Sequence, residues 1–232
     1  MNNNYGSRSQ GGERSGSSLL SRVFGWQSVG LLLSMFVALI VAGTPAIIAM
    51  LFSNKWLFYG LIIAQFGAVI ALSGFAQKMS YGTMVAVFLG YAALTGMTLS
   101  TIFIIYTMSS IAMCFGIAAG MFGTMAIYGY VTNADLSGFG TIMFMGLIGI
   151  VIASLVNMFV QSSAAGYVIS FLSVIIFTGL TAYDVQKIKY LGSTVSDEES
   201  LRKVSILGAL TLYLDFLNIF LSLLNLLGDR RR

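Results

Sequence analysis

The sequence contains no histidine. That excludes imidazole metal ligands, Ser–His and Cys–His nucleophile pairs and a histidine-based pH switch, so any proton sensing must rest on carboxylates. Its single cysteine, Cys114, lies in an apolar run. One thiol allows neither an intramolecular disulfide nor a cysteine-based metal site, and Cys114 reads as a small packing residue. Charge is equally scarce: 9% of the 232 residues are charged and 57% are hydrophobic. A soluble domain has roughly a quarter of its residues charged. So few charges cannot build a water-facing surface, and lipid must be the solvent for most of it. The net charge of +4 is too small and scattered for a nucleic-acid partner. It suits short basic loops against an anionic membrane surface.

What the chain has instead is long apolar runs. A membrane span needs about 20 mainly apolar residues. Seven runs qualify, at about 28–52, 56–76, 82–106, 110–132, 139–160, 166–187 and 204–227. The expected fold is an all-α membrane protein, with a seven-helix transmembrane domain over residues 19–232. The stretch 1–18 is rich in Ser, Gly, Asn and Gln and reads as a disordered polar tail. It has no apolar core or small-residue cleavage site of a cleavable signal. Leu19 to Trp26 reads as an interfacial half-helix. Short connections, such as Ser53-Asn54-Lys55 and Gln161-Ser162-Ser163, force antiparallel neighbours and an up-and-down bundle. The only proline, Pro45, is expected to kink the first span. A β-barrel would need ~10-residue stretches of alternating polarity, and the runs here are continuous. No internal repeat supports an inverted-repeat transporter. Gly116 and Gly120, with Gly123, Gly146 and Gly149, stand at spacings that let helix backbones approach, inside the monomer or across a dimer face.

Basic residues set the orientation. With the N-terminus inside, Arg8, Arg14, Arg22, Lys78, Lys187, Lys189, Arg202 and Lys203 fall on the inner side. Lys55 falls outside, as does the triplet Arg230 to Arg232 if the last run crosses fully. The bias places the N-terminus in the cytoplasm. The triplet leaves two options for the last run, a full crossing or re-entry, and its length favours crossing.

Two of the eight acidic residues sit inside apolar sequence: Asp184, near the inner end of the sixth run, and Asp215, about the middle of the seventh. An ionisable group in a span is costly and is by default a functional hypothesis. The segment 188–203 is expected to be a charged loop that makes the two runs an antiparallel hairpin, with the acids 197–199 as a solvated patch. Counted from that loop, Asp215 lies about four to eight residues deeper than Asp184, roughly 6–12 Å that tilt or a bend near Gly208 must remove. If the carboxyls meet, they cannot both ionise cheaply, so the pair holds a shared proton. Doubly ionised, it repels itself and offers oxygens suited to Ca²⁺. Otherwise each acid is satisfied separately and locks helix packing. Tyr183, Gln186, Tyr213 and Asn218 fit a pathway or a hydrogen-bonded lock. Lys78 is the basic group in a short inner loop that reaches toward Asp184 as a latch, or else a snorkelling lysine. Gln65 is a weaker pore-lining candidate.

Gly179-Leu180-Thr181-Ala182-Tyr183-Asp184-Val185-Gln186-Lys187-Ile188-Lys189 and Leu207-Gly208-Ala209-Leu210-Thr211-Leu212-Tyr213-Leu214-Asp215-Phe216-Leu217-Asn218-Ile219-Phe220 closely resemble the Bax inhibitor-1 family, in its bacterial YccA/YbhL-like branch. Leu94-Thr95-Gly96-Met97-Thr98-Leu99-Ser100 and Asp135-Leu136-Ser137-Gly138-Phe139-Gly140 agree with it. The resemblance covers about 20–232. It implies seven helices with the last one central, in the bacterial inner membrane, and no cofactor beyond Ca²⁺ as transported ion. It implies a pH-sensitive calcium leak sensed by the aspartate pair, here Asp184 and Asp215, which would also hold Ca²⁺ transiently. A basic latch of the family falls near Lys78, one lysine where some members carry an arginine cluster. Gln65 stands where some members carry an acid.

Two other functions stay in view. Paired membrane aspartates also serve intramembrane aspartyl proteases, but Leu-Tyr-Leu-Asp here is not that class's Gly-x-Gly-Asp, so no enzyme is expected. Bacterial relatives are linked to modulation of a membrane protease, which makes partner binding the main alternative, with the 1–18 tail as its contact. A retinal protein is disfavoured, because no lysine lies within the last span.

Overall fold

The computed structural model describes residues 4–53, 55–195 and 197–231, without the side chains of 4–15, 51, 52, 55 and 58. Asn54, Ser196 and Arg232, and the side chains of Arg8, Arg14 and Lys55 used for orientation, lie outside the described residues. The described chain forms eight α-helices: α1 (Asn4–Ala42), α2 (Pro45–Ser53), α3 (Lys55–Phe75), α4 (Tyr81–Ile105), α5 (Met108–Val131), α6 (Ser137–Val160), α7 (Ser163–Thr194) and α8 (Glu198–Leu227), with a 3₁₀ turn at Ala76–Lys78. Seven are long and apolar enough to cross a membrane. Helix is the form such sequence takes in lipid, where every backbone polar group must be satisfied within the segment.

The first span differs from the sequence expectation. It runs from Gly16 to Ala42, and α1 reaches back to Asn4. Residues 4–18, read as a disordered tail, are therefore helical, and 19–26 is continuous with the span and not a separate half-helix. Leu19, Leu20 and Val23 are buried there, and a Cβ on Gly192 would lie 3.0 Å from the Leu19 Cβ. Pro45 does not kink this span; it opens a new helix. Proline has no N–H to lose at a first helical position and biases the residue before it away from helix. Gly43 and Thr44 bridge the break, with Gly43 N–H donating to Leu39 O at 2.9 Å and the Thr44 hydroxyl to Ile40 O at 2.9 Å.

The chain divides into two compact units. The first takes α1 to α4, residues 192–210 and Arg231. In it α1 and α3 pack on α4. Ser34 Oγ donates to Ala92 O at 2.7 Å, and a Cβ on Gly96 would stand 2.6 Å from Ser34 O. That contact explains the glycine in the 94–100 motif. The opening turn of α8 belongs here too. Asp197 caps it by accepting from Ser200 N–H at 3.1 Å. Glu198 pairs with Arg22 at 2.6 Å and Arg202 at 3.3 Å, and Glu199 pairs with Lys203 at 3.0 Å. The 188–203 segment is thus mostly helix, and the 197–199 acids are a helix start, where acids suit the dipole. Of the described residues between α7 and α8, Val195 and Asp197 lie outside helix.

The second unit takes residues 106–191, hence α5, α6 and most of α7, with residues 211–230 of α8. Phe216 meets Phe115 and Phe122 of α5 edge-on, with centroids 5.2 and 5.7 Å apart. At the end of α8, Thr107 N–H donates to Asp229 O and Asp229 N–H to Ser110 Oγ, both at 3.0 Å, and Tyr106 bridges Arg230. The far end of α5 receives Lys189 Nζ on Tyr130 O at 2.8 Å. The second half of α8 therefore lies along α5 from Phe122 to Thr107, and α8 is long and apolar enough for a full crossing. Its apolar window is 67% buried, against 39% at most in the other spans.

Gly116, Gly120 and Gly123 would have open space at an added Cβ. They are not a packing face inside the monomer. The close backbone approach of α5 is at Gly129 instead, where a Cβ would fall on the carbonyl of Ala182.

Candidate functional site

Asp184 and Asp215 are both in the second unit. Each is held by an apolar helix with strong packing on its other faces. Val185, Ala182 and Ile219 are wholly buried, and Asp215 itself is only 4% exposed. The two carboxyl side chains face each other within hydrogen-bonding reach. Asp215 Oδ2 is buried and has no hydrogen-bond partner among the described residues. Asp184 is half-buried.

The depth difference is absorbed by unequal rise. Ser170 Oγ accepts from Asn225 Nδ2 at 2.7 Å. Between that contact and the carboxyl pair, α7 advances fourteen positions and α8 ten. At 1.5 Å per residue this is a difference of about 6 Å, which an inclined pair of helices takes up.

The neighbouring stretch 134–140 fixes α7 here. A Cβ on Gly140 would fall on the Tyr183 ring, so only glycine lets that ring seat against α6. Gln186 is clamped at both ends of its amide: Leu136 N–H donates to Oε1 at 2.9 Å, and Nε2 donates to Ala134 O at 2.8 Å. Asp135 accepts from Ser137 N–H at 2.9 Å. The Ser137 side chain, then its N–H, hold the Asp135 carboxyl below its ordinary value of 3.8. That contribution is complete above the ordinary value and is lost as pH falls through the lower one, so Asp135 stays charged at neutral pH. The two quoted motifs, 135–140 and 179–189, are thus partners in space. Gln186→Ala removes both bonds to the turn. Amide hydrogen exchange at 134–137 is expected to speed up by about tenfold or more, the equivalent of losing one to two net hydrogen bonds.

The other sequence candidates divide. Asn218 shares a helix face with Asp215, and its amide donates to Leu214 O at 2.8 Å. Tyr213 is fully buried, and two positions from Asp215 it lies on the far side of α8. Gln65 is in the first unit and donates to Thr98 Oγ1 at 3.2 Å. Lys78 ends the 3₁₀ turn, exposed, with no ion pair among the described residues. The basic group that acts electrostatically on Asp184 is Lys187, one turn along α7, with its ammonium 5.7 Å from the Tyr183 ring centroid. Sequence reasoning missed Lys187 here because it was counted only as an inner-side charge. Among the described residues no group of three or more acidic or thiol side chains could hold a resident metal.

The family model described as Inhibitor of apoptosis-promoting Bax1 matches residues 16–232. The chain belongs to the Bax inhibitor family. It is 54% identical over 214 residues to the inner membrane protein YbhL of Escherichia coli, covering 91% of this chain and 92% of that protein. It is 49% identical over 216 residues to an uncharacterized protein of Borreliella burgdorferi, covering 93% of each. A protein of Rickettsia prowazekii is 47% identical over 135 residues, covering 58% of this chain and 57% of its own length. The Bax inhibitor match takes in both acids and both motifs around them.

Proposed function

We propose that the protein is a pH-sensitive cation leak of the bacterial inner membrane, with Ca²⁺ as cargo and the Asp184–Asp215 pair as sensor. The observation that carries the reading is the approach of two carboxyls within spans to hydrogen-bonding reach of each other, with Asp215 Oδ2 buried and otherwise without a partner among the described residues. A carboxyl–carboxyl bond needs a proton, since two carboxylates have no donor between them. While the proton stays, the pair is closed on itself and carries one negative charge at most. When it leaves, two anions face each other in a weak dielectric, and a hard cation is the partner that relieves them. Lys187 beside Asp184 tempers that charge. The inner-membrane placement rests on the printed name of the Escherichia coli relative, and the cytoplasmic N-terminus on the basic-residue bias.

The test is Ca²⁺ entry into indicator-loaded proteoliposomes across the neutral pH range. Flux is expected to rise with pH in the native protein and to lose that slope in an Asp184→Asn/Asp215→Asn double variant. Equal flux and equal slope in the two would overturn the reading.

A further inference from the structure

The strongly polar side chains of the second half of α8 fall in one line. Thr211, Asp215, Asn218, Ser222 and Asn225 repeat at spacings of four, three, four and three. At 3.6 residues per turn they occupy an arc of about 80°. The α7 face opposite is fixed by two contacts, Asp184 on Asp215 and Ser170 on Asn225. Ser170, Ser173, Thr181 and Asp184 share an arc of the same width, with Phe177 at its centre.

Polar groups in a dry helix interface should satisfy one another. These do so only in part. Asn218 and Asn225 spend their N–H groups, on Leu214 O and Ser170 Oγ. Their amide oxygens and the Ser222 hydroxyl have no side-chain hydrogen bond among the described residues, and Asp215 Oδ2 has none either. Asn218 and Ser222 are half-buried and Asn225 is exposed. Hydrocarbon would leave these oxygens unsatisfied at a cost of several kcal/mol in all, whereas water satisfies them. Each step between successive α8 positions is about 4.5–6 Å, and neutral oxygens of this kind exchange readily for the water around a hard cation.

We infer that this face is the water-lined route by which a cation passes between the carboxyl pair and the Gly228 end of α8, with Phe177 as its apolar constriction. The cargo rests on the leak reading; the water does not. The Phe177 side chain is 7% exposed and is the one apolar member of the α7 arc, the kind of group that interrupts a wet path by dewetting.

The test separates the two readings. Cysteine is placed singly at Asn218, Ser222 and Asn225, and at Ile175, which is 49% exposed on the opposite face of α7. Native Cys114, wholly buried, supplies the background. Reconstituted protein is treated with a charged, water-soluble methanethiosulfonate. Modification at Ser222→Cys is expected about tenfold or more faster than at Ile175→Cys, because only a hydrated thiol ionises and reacts. Reaction at Ser222→Cys no faster than at Ile175→Cys overturns the route, whatever the flux. Reaction at the α8 sites with a flux indifferent to the Asp pair keeps the wet route and removes the leak reading. In native-like protein that leaks, Phe177→Ala should raise Ca²⁺ flux several-fold; unchanged flux removes the constriction.

Discussion

Gly129→Ala is expected to cost most of the folded protein. The added methyl would occupy the position of the Ala182 carbonyl, with the Ala182 Cα also only 2.9 Å away. These are backbone atoms, which cannot swing aside as a side-chain tip can. Relief requires α5 and α7 to separate, and α7 carries Asp184 three residues from Thr181 and two from Ala182. Overpacking in a close core costs about 1–3 kcal/mol and more where the backbone must move. This contact belongs at the upper end, and the folded fraction in detergent should fall well below half at temperatures the native protein survives. Gly116→Ala on the same helix meets nothing within 4 Å. It should be neutral or slightly stabilising, since alanine is the better helix former by about 1 kcal/mol. Thermal unfolding of the two variants side by side checks the claim. Equal melting behaviour would mean that α5 and α7 are not in this contact in the membrane.

The second large effect concerns the separate roles of the two acids. Asp215→Asn keeps the shape and supplies an N–H that donates to Asp184 without any titrating proton. The bond then persists at every pH, and flux should be low and flat. One gating proton allows up to about a tenfold flux change per pH unit in the native protein; the variant should vary by less than about twofold. Asp215→Leu differs in kind. It removes the partner of Asp184 and leaves a half-buried carboxylate in a span, a loss of about 1–3 kcal/mol. Its signature is lower stability together with a lost pH slope, where Asp215→Asn shows the lost slope alone. If Asp215→Asn retains a native pH slope in proteoliposomes, the shared proton is not the sensor.

Much of this was legible in the apolar runs. Their length alone placed α4 to α6 within a few residues, because lipid leaves the backbone no alternative to helix. The errors fell where polar residues are helical. Glu198, Glu199, Arg202 and Lys203 were read as a loop because they are charged, yet their i,i+4 ion pairs are a helical spacing. Pro45 was placed inside a span because the apolar run continues through it, although a proline preceded by Gly43 and Thr44 suits a helix start. The acids were found as isolated costs in apolar sequence, but their contact was not legible. It depends on the unequal rise of α7 and α8, which no count along one chain contains. The Ser170–Asn225 contact was missed for the same reason. The line of polar residues on α8 is present in the sequence as a four-three spacing, but neutral amide and hydroxyl oxygens carry no charge that would set it apart from ordinary helix packing.

The division of α8 between two units has a consequence in time. A ribosome delivers α1 to α7 before this helix leaves the tunnel, and both units need part of it. Until then Asp184 sits in a span with its carboxyl partner not yet made, and Phe115 and Phe122 lack the ring of Phe216 between them. Helix α8 thus completes both units, and a nascent chain stalled before Glu198 should present an unmatched membrane acid to whatever surveys incomplete proteins in the bilayer.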